Sequence, residues 1–266
     1  MKDIKEITTK LEDGIQKVFT SSEFINYLKT MSKFHSYSYC NVMLIMMQKP
    51  NATLVAGYKA WQKNFKRFVK KGEKGITILA PIPRTVKKVN EETGEEEERK
   101  FTAYRAVSVF DISQTDGEDL PTYSVGELVG NVDNYNAFIN ALKETATVPV
   151  RMDSIEDGSK GYCSRTEIVI KNGMSELQTL KTLVHEVAHN LLGHAGGDTD
   201  RNTCEVEAES VAYVVSQYFG LDTGDYSFPY IAGWANEKDK KVIQRVLGNI
   251  QKTADNIIKK CEKAIA

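Results

Sequence analysis

Two of the four histidines in this 266-residue chain sit in His185-Glu186-Val187-Ala188-His189, an H-E-x-x-H pattern. Residues i and i+4 share one face of an α-helix, so both imidazoles can grip a single cation. Glu186 is then placed to hold the water on that cation rather than the cation itself. Zinc suits imidazole and carboxylate ligands, and with a fourth position open it lowers the pKa of a bound water towards about 7, making hydroxide available at neutral pH. Manganese(II) or cobalt(II) fits the same donors.

The flanking residues must supply the helix. Leu180, Leu183, Val184, Val187, Leu191 and Leu192 form an apolar stripe, Ser175 with Gln178 makes a capping box, and Gly193 is a stop, which predicts a helix over Leu177 to Leu192. The third protein ligand has two possible sources. His194 follows a glycine turn, yet the H-E-x-x-H-x-x-G-x-x-H pattern wants Gly at 192 and His at 195, where this chain has Leu192 and Ala195. The next predicted helix, about Thr203 to Phe219, carries Glu205, Glu207 and Glu209. Glu205 and Glu209 share a face with Ala212, whose small side chain permits close helix approach. We therefore expect Glu205 as ligand and Glu209 as acceptor for a ligand histidine's N–H, with Glu207 as the fallback ligand. H-E-x-x-H followed by a glutamate on the next helix resembles the gluzincin class of zinc metallopeptidases. That resemblance implies water attack on a peptide carbonyl, with Glu186 as general base and the metal polarising the oxygen. Tyr162, Tyr213, Tyr226 and Tyr230 are candidates for stabilising the oxyanion.

A chain of this length holds one large domain or two modest ones. The apolar spacing of Ile4, Ile7, Leu11, Ile15 and Val18, and of Phe24, Tyr27, Leu28 and Met31, predicts two or three helices ending near Pro50. After the turn Gly72-Glu73-Lys74-Gly75, the runs Ile76 to Leu79 and Phe101 to Phe110 read as two strands. The acidic stretch around Gly94 between them reads as a solvated hairpin tip with no chemistry of its own. Asp116 to Gly130 is the best linker, which divides the chain into residues 1–125 and 126–266. Beyond it come a helix around Tyr135 to Leu142, short strands at Val148 to Val150 and Ile168 to Ile170, the two helices above, and a long amphipathic C-terminal helix. The fold class is α+β, with an N-terminal helical region plus a β-hairpin or small sheet, then a helix-rich domain with a small sheet.

The longest apolar run, Val42 to Met47, is far too short to span a bilayer, and the charged start does not read as a secretory signal, so a cytoplasmic location is expected. Four widely spaced cysteines argue against a thiolate zinc site or a disulfide framework. The net charge of −1 hides a strong asymmetry: residues 1–90 carry 17 Lys/Arg against 6 Asp/Glu, and residues 91–133 carry 3 against 12. Within the basic part, Tyr58, Trp61, Phe65 and Phe68 are interleaved with Lys59, Lys63, Lys66, Arg67, Lys70, Lys71 and Lys74. Basic groups with stacking rings are what unspecific single-strand binding needs, because phosphates supply affinity and every base offers a π-face; an aromatic stripe facing a core has the same spacing.

The blocks Tyr37 to Ile45, Gln48 to Thr53, Val55 to Tyr58, Trp61, Lys70 to Ile76 and Val109-Phe110-Asp111-Ile112-Ser113-Gln114-Thr115 resemble the N-terminal domain of ArdC-type antirestriction proteins. An H-E-x-x-H domain follows in the same order, so the resemblance covers roughly residues 20–215. It implies a single-stranded DNA-binding domain fused to a zincin-like metallopeptidase domain, carried by conjugative plasmids and integrated elements to protect incoming DNA. By residue it points to Ser38, Asn41, Trp61 and Lys70 to Lys74 for DNA, and to His185, Glu186 and His189 for the metal. Two other classes of function stay open on residues alone: a DNA-binding protein whose metal is structural, and a cytoplasmic metallopeptidase that acts on a regulatory protein without DNA.

Overall fold

The computed structural model describes residues 4–89, 96–120, 132–221, 224, 226 and 228–265. Helices and small sheets are mixed, as the α+β expectation has it. The chain forms two compact units, Met1–Gln16 with Met43–Leu120, and Lys17–Val42 with Pro121–Ala266. Where the sequence suggested a single cut near residue 125, the segment Lys17–Val42 clusters with the second unit. Among the described residues no helix is long and apolar enough to cross a membrane.

The first unit is built on a long antiparallel hairpin, β3 (Ile76–Val89) and β4 (Glu96–Asp111), to which β1 (Val55–Gly57) adds on the far side of β4. The expected hairpin tip, with Glu91, Glu92, Gly94 and Glu95, lies outside the described residues. Helix α1 (Ile4–Lys17) buries Ile7, Leu11 and Ile15 at four-residue spacing. Helix α3 (Tyr39–Gln48) docks on the sheet through an amide that imitates a strand partner: Gln48 Nε2 donates to the Thr77 carbonyl at 2.8 Å, and Gln48 Oε1 accepts from the Thr77 N–H at 2.9 Å. Helix α4 (Tyr58–Phe65) ends at Lys66, which adopts a left-handed conformation with φ 51°.

That turn leads into β2 (Arg67–Val69), paired with β5 (Thr115–Gly117). The strand β5 occupies the start of the expected linker, whose residues 121–130 lie outside the described part. Gly117 has φ +141°, and a Cβ there would stand 2.5 Å from the Lys66 carbonyl oxygen, so only glycine permits this approach.

In the second unit, β6 (Val150–Asp153) runs parallel to β8 (Ile168–Lys171), and β7 (Gly161–Cys163) runs antiparallel to β8 at the sheet edge. Five further helices accompany α2 (Ser21–Lys33): α5 (Val132–Thr145), α6 (Glu176–Leu191), α7 (Arg201–Tyr218), α8 (Ile231–Glu237) and α9 (Lys240–Ile265). Helix α7 is buried on nearly every side, packing on α2, α6 and α9, with Val206, Val211, Val214 and Tyr213 inside. Phe24, Tyr27, Phe138, Phe219 and Phe228 fill the core around it. The amphipathic α9 covers this core with Ile243, Val246, Leu247, Ile250, Ile257 and Ile258.

Candidate functional site

Helix α6 starts at Ser175, whose hydroxyl accepts from the Gln178 N–H at 3.3 Å. The Gln178 side chain does not close the expected box; it donates to Thr182 Oγ1 and accepts from Lys160 Nζ. Two turns on, the imidazoles of His185 and His189 meet with their Nε2 atoms 3.0 Å apart. Glu205 Oε2, arriving from α7, stands 3.6 Å from His185 Nε2 and 3.8 Å from His189 Nε2. Donors held at about 2.0–2.2 Å around one tetrahedral cation are roughly 3.3–3.6 Å apart, so this half-buried group has the span to hold a metal ion.

The other carboxylates of α7 take different partners. Glu209 Oε2 lies 3.2 Å from His185 Nδ1, the position expected of an acceptor behind a ligand histidine. Glu207 points away from the group. It is buried, its Oε2 lies 2.9 Å from His194 Nε2, and its Oε1 accepts from Asn249 Nδ2 of α9 at 2.8 Å. Nor does His194 reach the group by its own nitrogen: its Nδ1 sits 2.9 Å from His189 Nδ1. The two fallback ligands are therefore turned to each other. Nothing in the sequence singled out Asn249, a polar residue beside the apolar stripe of α9.

The electrostatics follow from burial among carboxylates. Burial opposes a charged His185, yet its hydrogen bonds with Glu205 and Glu209 outweigh that and carry its pKa up to about 10. The same partners, the two histidines, hold the Glu205 carboxyl well below its ordinary range. Burial depresses His189. Glu186, buried beside them, is pushed up to about 7 by desolvation, against the pull of His185 and with the charge of Glu205 adding to it. In the metal-free chain the His185 contacts stabilise the fold fully below about 6.5, and that contribution is lost as pH rises through about 10.

Cation binding must displace the His185 proton. Binding of Mn(II) or Zn(II) at pH 7 should release at least one proton, and affinity should climb with pH, by roughly tenfold per unit, until about pH 10. Calorimetry in two buffers of different ionisation enthalpy measures it; an enthalpy that does not depend on the buffer would contradict the expectation.

Of the group, His185 opens on a cavity of about 520 Å³ lined also by Lys160, Gln178, Lys181, Glu186, Glu209 and Tyr226 among others. Of the four candidate tyrosines, Tyr226 lines this cavity, and the pKa of the Tyr230 hydroxyl is raised by burial first and then by the charges of Glu209 and Glu205. Tyr162 is exposed on the edge strand. Tyr213 is excluded by packing: it is 1% exposed, with its ring against Tyr226 and Phe228.

The residues expected to touch DNA divide sharply. Trp61 is fully buried, its indole N–H donates to the Phe110 carbonyl at 2.9 Å, and its ring meets Phe65, so it cannot stack on a base. Arg67 is also consumed. Its guanidinium donates to Thr115 Oγ1 at 2.8 Å and to the carbonyls of Thr115, Gly117 and Glu118, stapling β2 to β5. Asn41 is buried, and Ser38 accepts from the Asn41 N–H at the start of α3; both belong to the second unit. Trp61 and Arg67 are corrections, since each side chain is committed to packing or to backbone carbonyls, whereas the exposed Ser38 only caps α3.

The rest face solvent. Lys66, Lys70, Lys71 and Lys74 are exposed, Lys66 near Glu118 and Lys70 near Asp116, and the exposed rings of this stretch are Phe68 and Tyr58. The lysine turn is itself well held: the Lys70 N–H donates to the Gln114 carbonyl, and Gln114 Nε2 donates to Glu73 and to the Lys74 carbonyl. Asp111, one box with Gln114, is buried and accepts from the N–H groups of Thr53, Leu54 and Ser113. The run Asp111 to Thr115 thus serves the turn's architecture.

A family model of the N-terminal domain of anti-restriction factor ArdC matches residues 2–110. An uncharacterized protein of Bacillus anthracis, pXO2-81, is 28% identical across 99% of this chain, which spans 52% of that relative's length. The metal-free crystal structure of the antirestriction ArdC protein from plasmid R388 aligns with a TM-score of 0.54 at 24% identity, over 84% of this chain and 85% of that one. Its Mn(II)-bound crystal structure aligns with a TM-score of 0.55 at 21% identity, over 94% and 97%. Residues 2–110 thus match the N-terminal domain of the ArdC family, and the chain shares its fold along most of its length with the two ArdC crystal structures.

Proposed function

We propose that this is a cytoplasmic antirestriction-type protein of a mobile element, which binds single-stranded DNA through its first unit and hydrolyses peptide bonds at the metal centre of its second. The observation that carries the second activity is the convergence of His185, His189 and Glu205 beside a buried Glu186, with His185 and Glu186 lining one cavity. Among the described residues three protein ligands converge beside a cavity, the pattern of a catalytic site, whereas structural zinc is closed by four; this favours catalysis over a structural metal. The donor set suits Zn(II), and equally Mn(II) or Co(II).

When bound, the cation supplies Lewis acidity to the scissile carbonyl. Glu186 takes the proton of the attacking water and returns it to the leaving amine, a role its pKa near 7 suits. Glu209 holds the His185 ring, and Tyr226, which lines the cavity, is the candidate to stabilise the oxyanion, with Tyr230 as the second. Among the described residues β7 is an edge strand, and its outer backbone groups can take an extended peptide as a further strand.

For DNA, the support is the family match over 2–110, the excess of basic residues, and the exposed pair Phe68 and Tyr58 among Lys66, Lys70, Lys71 and Lys74. The test is binding of a labelled single-stranded oligonucleotide against a duplex of equal length across a salt series. We expect preference for the single strand, a steep salt slope, a loss of about 1–3 kcal/mol for Phe68→Ala, and a shallower slope for the Lys70, Lys71 and Lys74 triple alanine. Absence of binding at low salt would remove the DNA half of the proposal and leave a peptidase without nucleic-acid partners.

A further inference from the structure

Behind His189 runs a line of polar groups, buried at His194 and Glu207 and half-buried at Asn249, that meets the candidate metal group at His189. His189 Nδ1 lies 2.9 Å from His194 Nδ1, His194 Nε2 lies 2.9 Å from Glu207 Oε2, and Glu207 Oε1 accepts from Asn249 Nδ2 at 2.8 Å. The side chains of His194 and Glu207 are 6% and 3% exposed. Four residues from α6, the turn after it, α7 and α9 therefore share one line of hydrogen bonds.

We propose that His194, Glu207 and Asn249 are positioning residues that fix the tautomer and ring orientation of His189, and so set the metal affinity of the centre without touching the cation. This deepens the reading of His185, His189 and Glu205 as metal ligands and rests on it. With its Oε1 accepting from Asn249, the Glu207 carboxylate offers Oε2 as a second acceptor, which places the proton of His194 on Nε2. The Nδ1 of His194 is then a lone pair, and the group that faces it, His189 Nδ1 at 2.9 Å, is the donor. A neutral imidazole with its proton on Nδ1 presents its lone pair at Nε2, the atom that faces His185 and Glu205. The Asn249 amide holds the far oxygen of Glu207, so the carboxylate cannot swing away from His194. Each link is directional, and reversing any one puts two lone pairs or two protons face to face.

Glu209 orients His185 through one carboxylate contact. The chain behind His189 is the longer analogue, with a histidine inserted between ligand and carboxylate. A partner behind a ligand histidine commonly changes metal affinity by about 10–100-fold.

The first measurement uses the metal-free wild-type chain and 15N-resolved histidine spectra: His189 should be the Nδ1–H tautomer and His194 the Nε2–H tautomer. A proton on His189 Nε2 overturns the proposal without any variant. The second is Mn(II) and Zn(II) affinity by chelator competition. His194→Phe and Glu207→Leu should each weaken binding by about 10–100-fold, and the double variant should be no weaker than the worse single one, because either change already breaks the line. Glu207→Gln keeps an acceptor for His194, with the Asn249 amide turned so that its oxygen accepts from the new NH2, and should recover most of the affinity, while Asn249→Ala should lose only a few-fold. Thermal midpoints of the metal-free variants separate affinity from folding. Unchanged affinity in both single variants, or losses that multiply in the double, refutes the chain. A wild-type protein that binds neither cation would instead bring down the metal reading beneath it.

Discussion

Glu186→Gln should keep its cation and lose peptide hydrolysis by about 10²–10⁴-fold, the usual contribution of a positioned general base. Glutamine has nearly the shape of glutamate, so the packing around this buried side chain is preserved, and residue 186 is not in the group formed by His185, His189 and Glu205. What disappears is the proton acceptor. A second signature comes from the raised pKa of Glu186 near 7. A carboxyl whose folded pKa lies above its unfolded value favours the folded state while protonated, so its contribution is present at low pH and lost between about 4.5 and 7. The glutamine variant cannot ionise and should lack that part of the pH dependence in the metal-free chain. The readouts are metal content of the purified protein, turnover of a fluorogenic peptide pool, and denaturant midpoints from pH 4 to 8. Equal turnover in the two proteins would refute Glu186 as base, and loss of the cation would mean that it belongs to the ligand set.

Trp61→Ala should cost about 3–5 kcal/mol, the range for removing a large aromatic from a core. Trp61 is fully buried against Phe65, and its indole N–H satisfies the Phe110 carbonyl in β4. The milder Trp61→Phe keeps the ring and leaves that carbonyl without its donor, at about 1–3 kcal/mol. Its affinity for single-stranded DNA should stay within about twofold of wild type, while Phe68→Ala falls by the full value of a stacked base. The two tryptophans make the measurement convenient, since Trp61 lies in one unit and Trp234 in the other. In a Trp234→Phe background, fluorescence follows the first unit alone. A Trp61→Phe protein that folds normally but binds DNA many-fold more weakly would return Trp61 to the interface.

These two expectations rest on very different amounts of sequence information. The helix that carries Glu186 could be read directly, because its apolar stripe, its Ser175 cap and its Gly193 stop are local signals, and the i, i+4 relation of His185 and His189 follows from helix geometry alone. The hairpin of β3 and β4 was legible for the same reason, as alternation between two turn signals; β1 was not, since three residues carry no usable period. Trp61 and Arg67 misled because a stripe of aromatics among cations has one appearance whether its rings face solvent or a sheet. Only the packing of α4 on β1 and β4, and the pairing of β2 with β5, buries them.

Helix α7 shows most plainly where each kind of information stops. A rotation of about 100° per residue places Glu205 and Glu209 on one side of that helix and Glu207 on another, so their division into two sets is a property of the sequence by itself. Which set meets the histidines of α6 is a question of how the helix is turned about its own axis, and no local signal contains that angle. It is decided by burial on all sides, with Val206, Val211 and Val214 in the core and α2, α6 and α9 around them. In that setting Glu205 and Glu209 face His185, while Glu207 turns to His194 and Asn249, a pairing that needs residues 42 positions apart and arises only when α9 closes over the core.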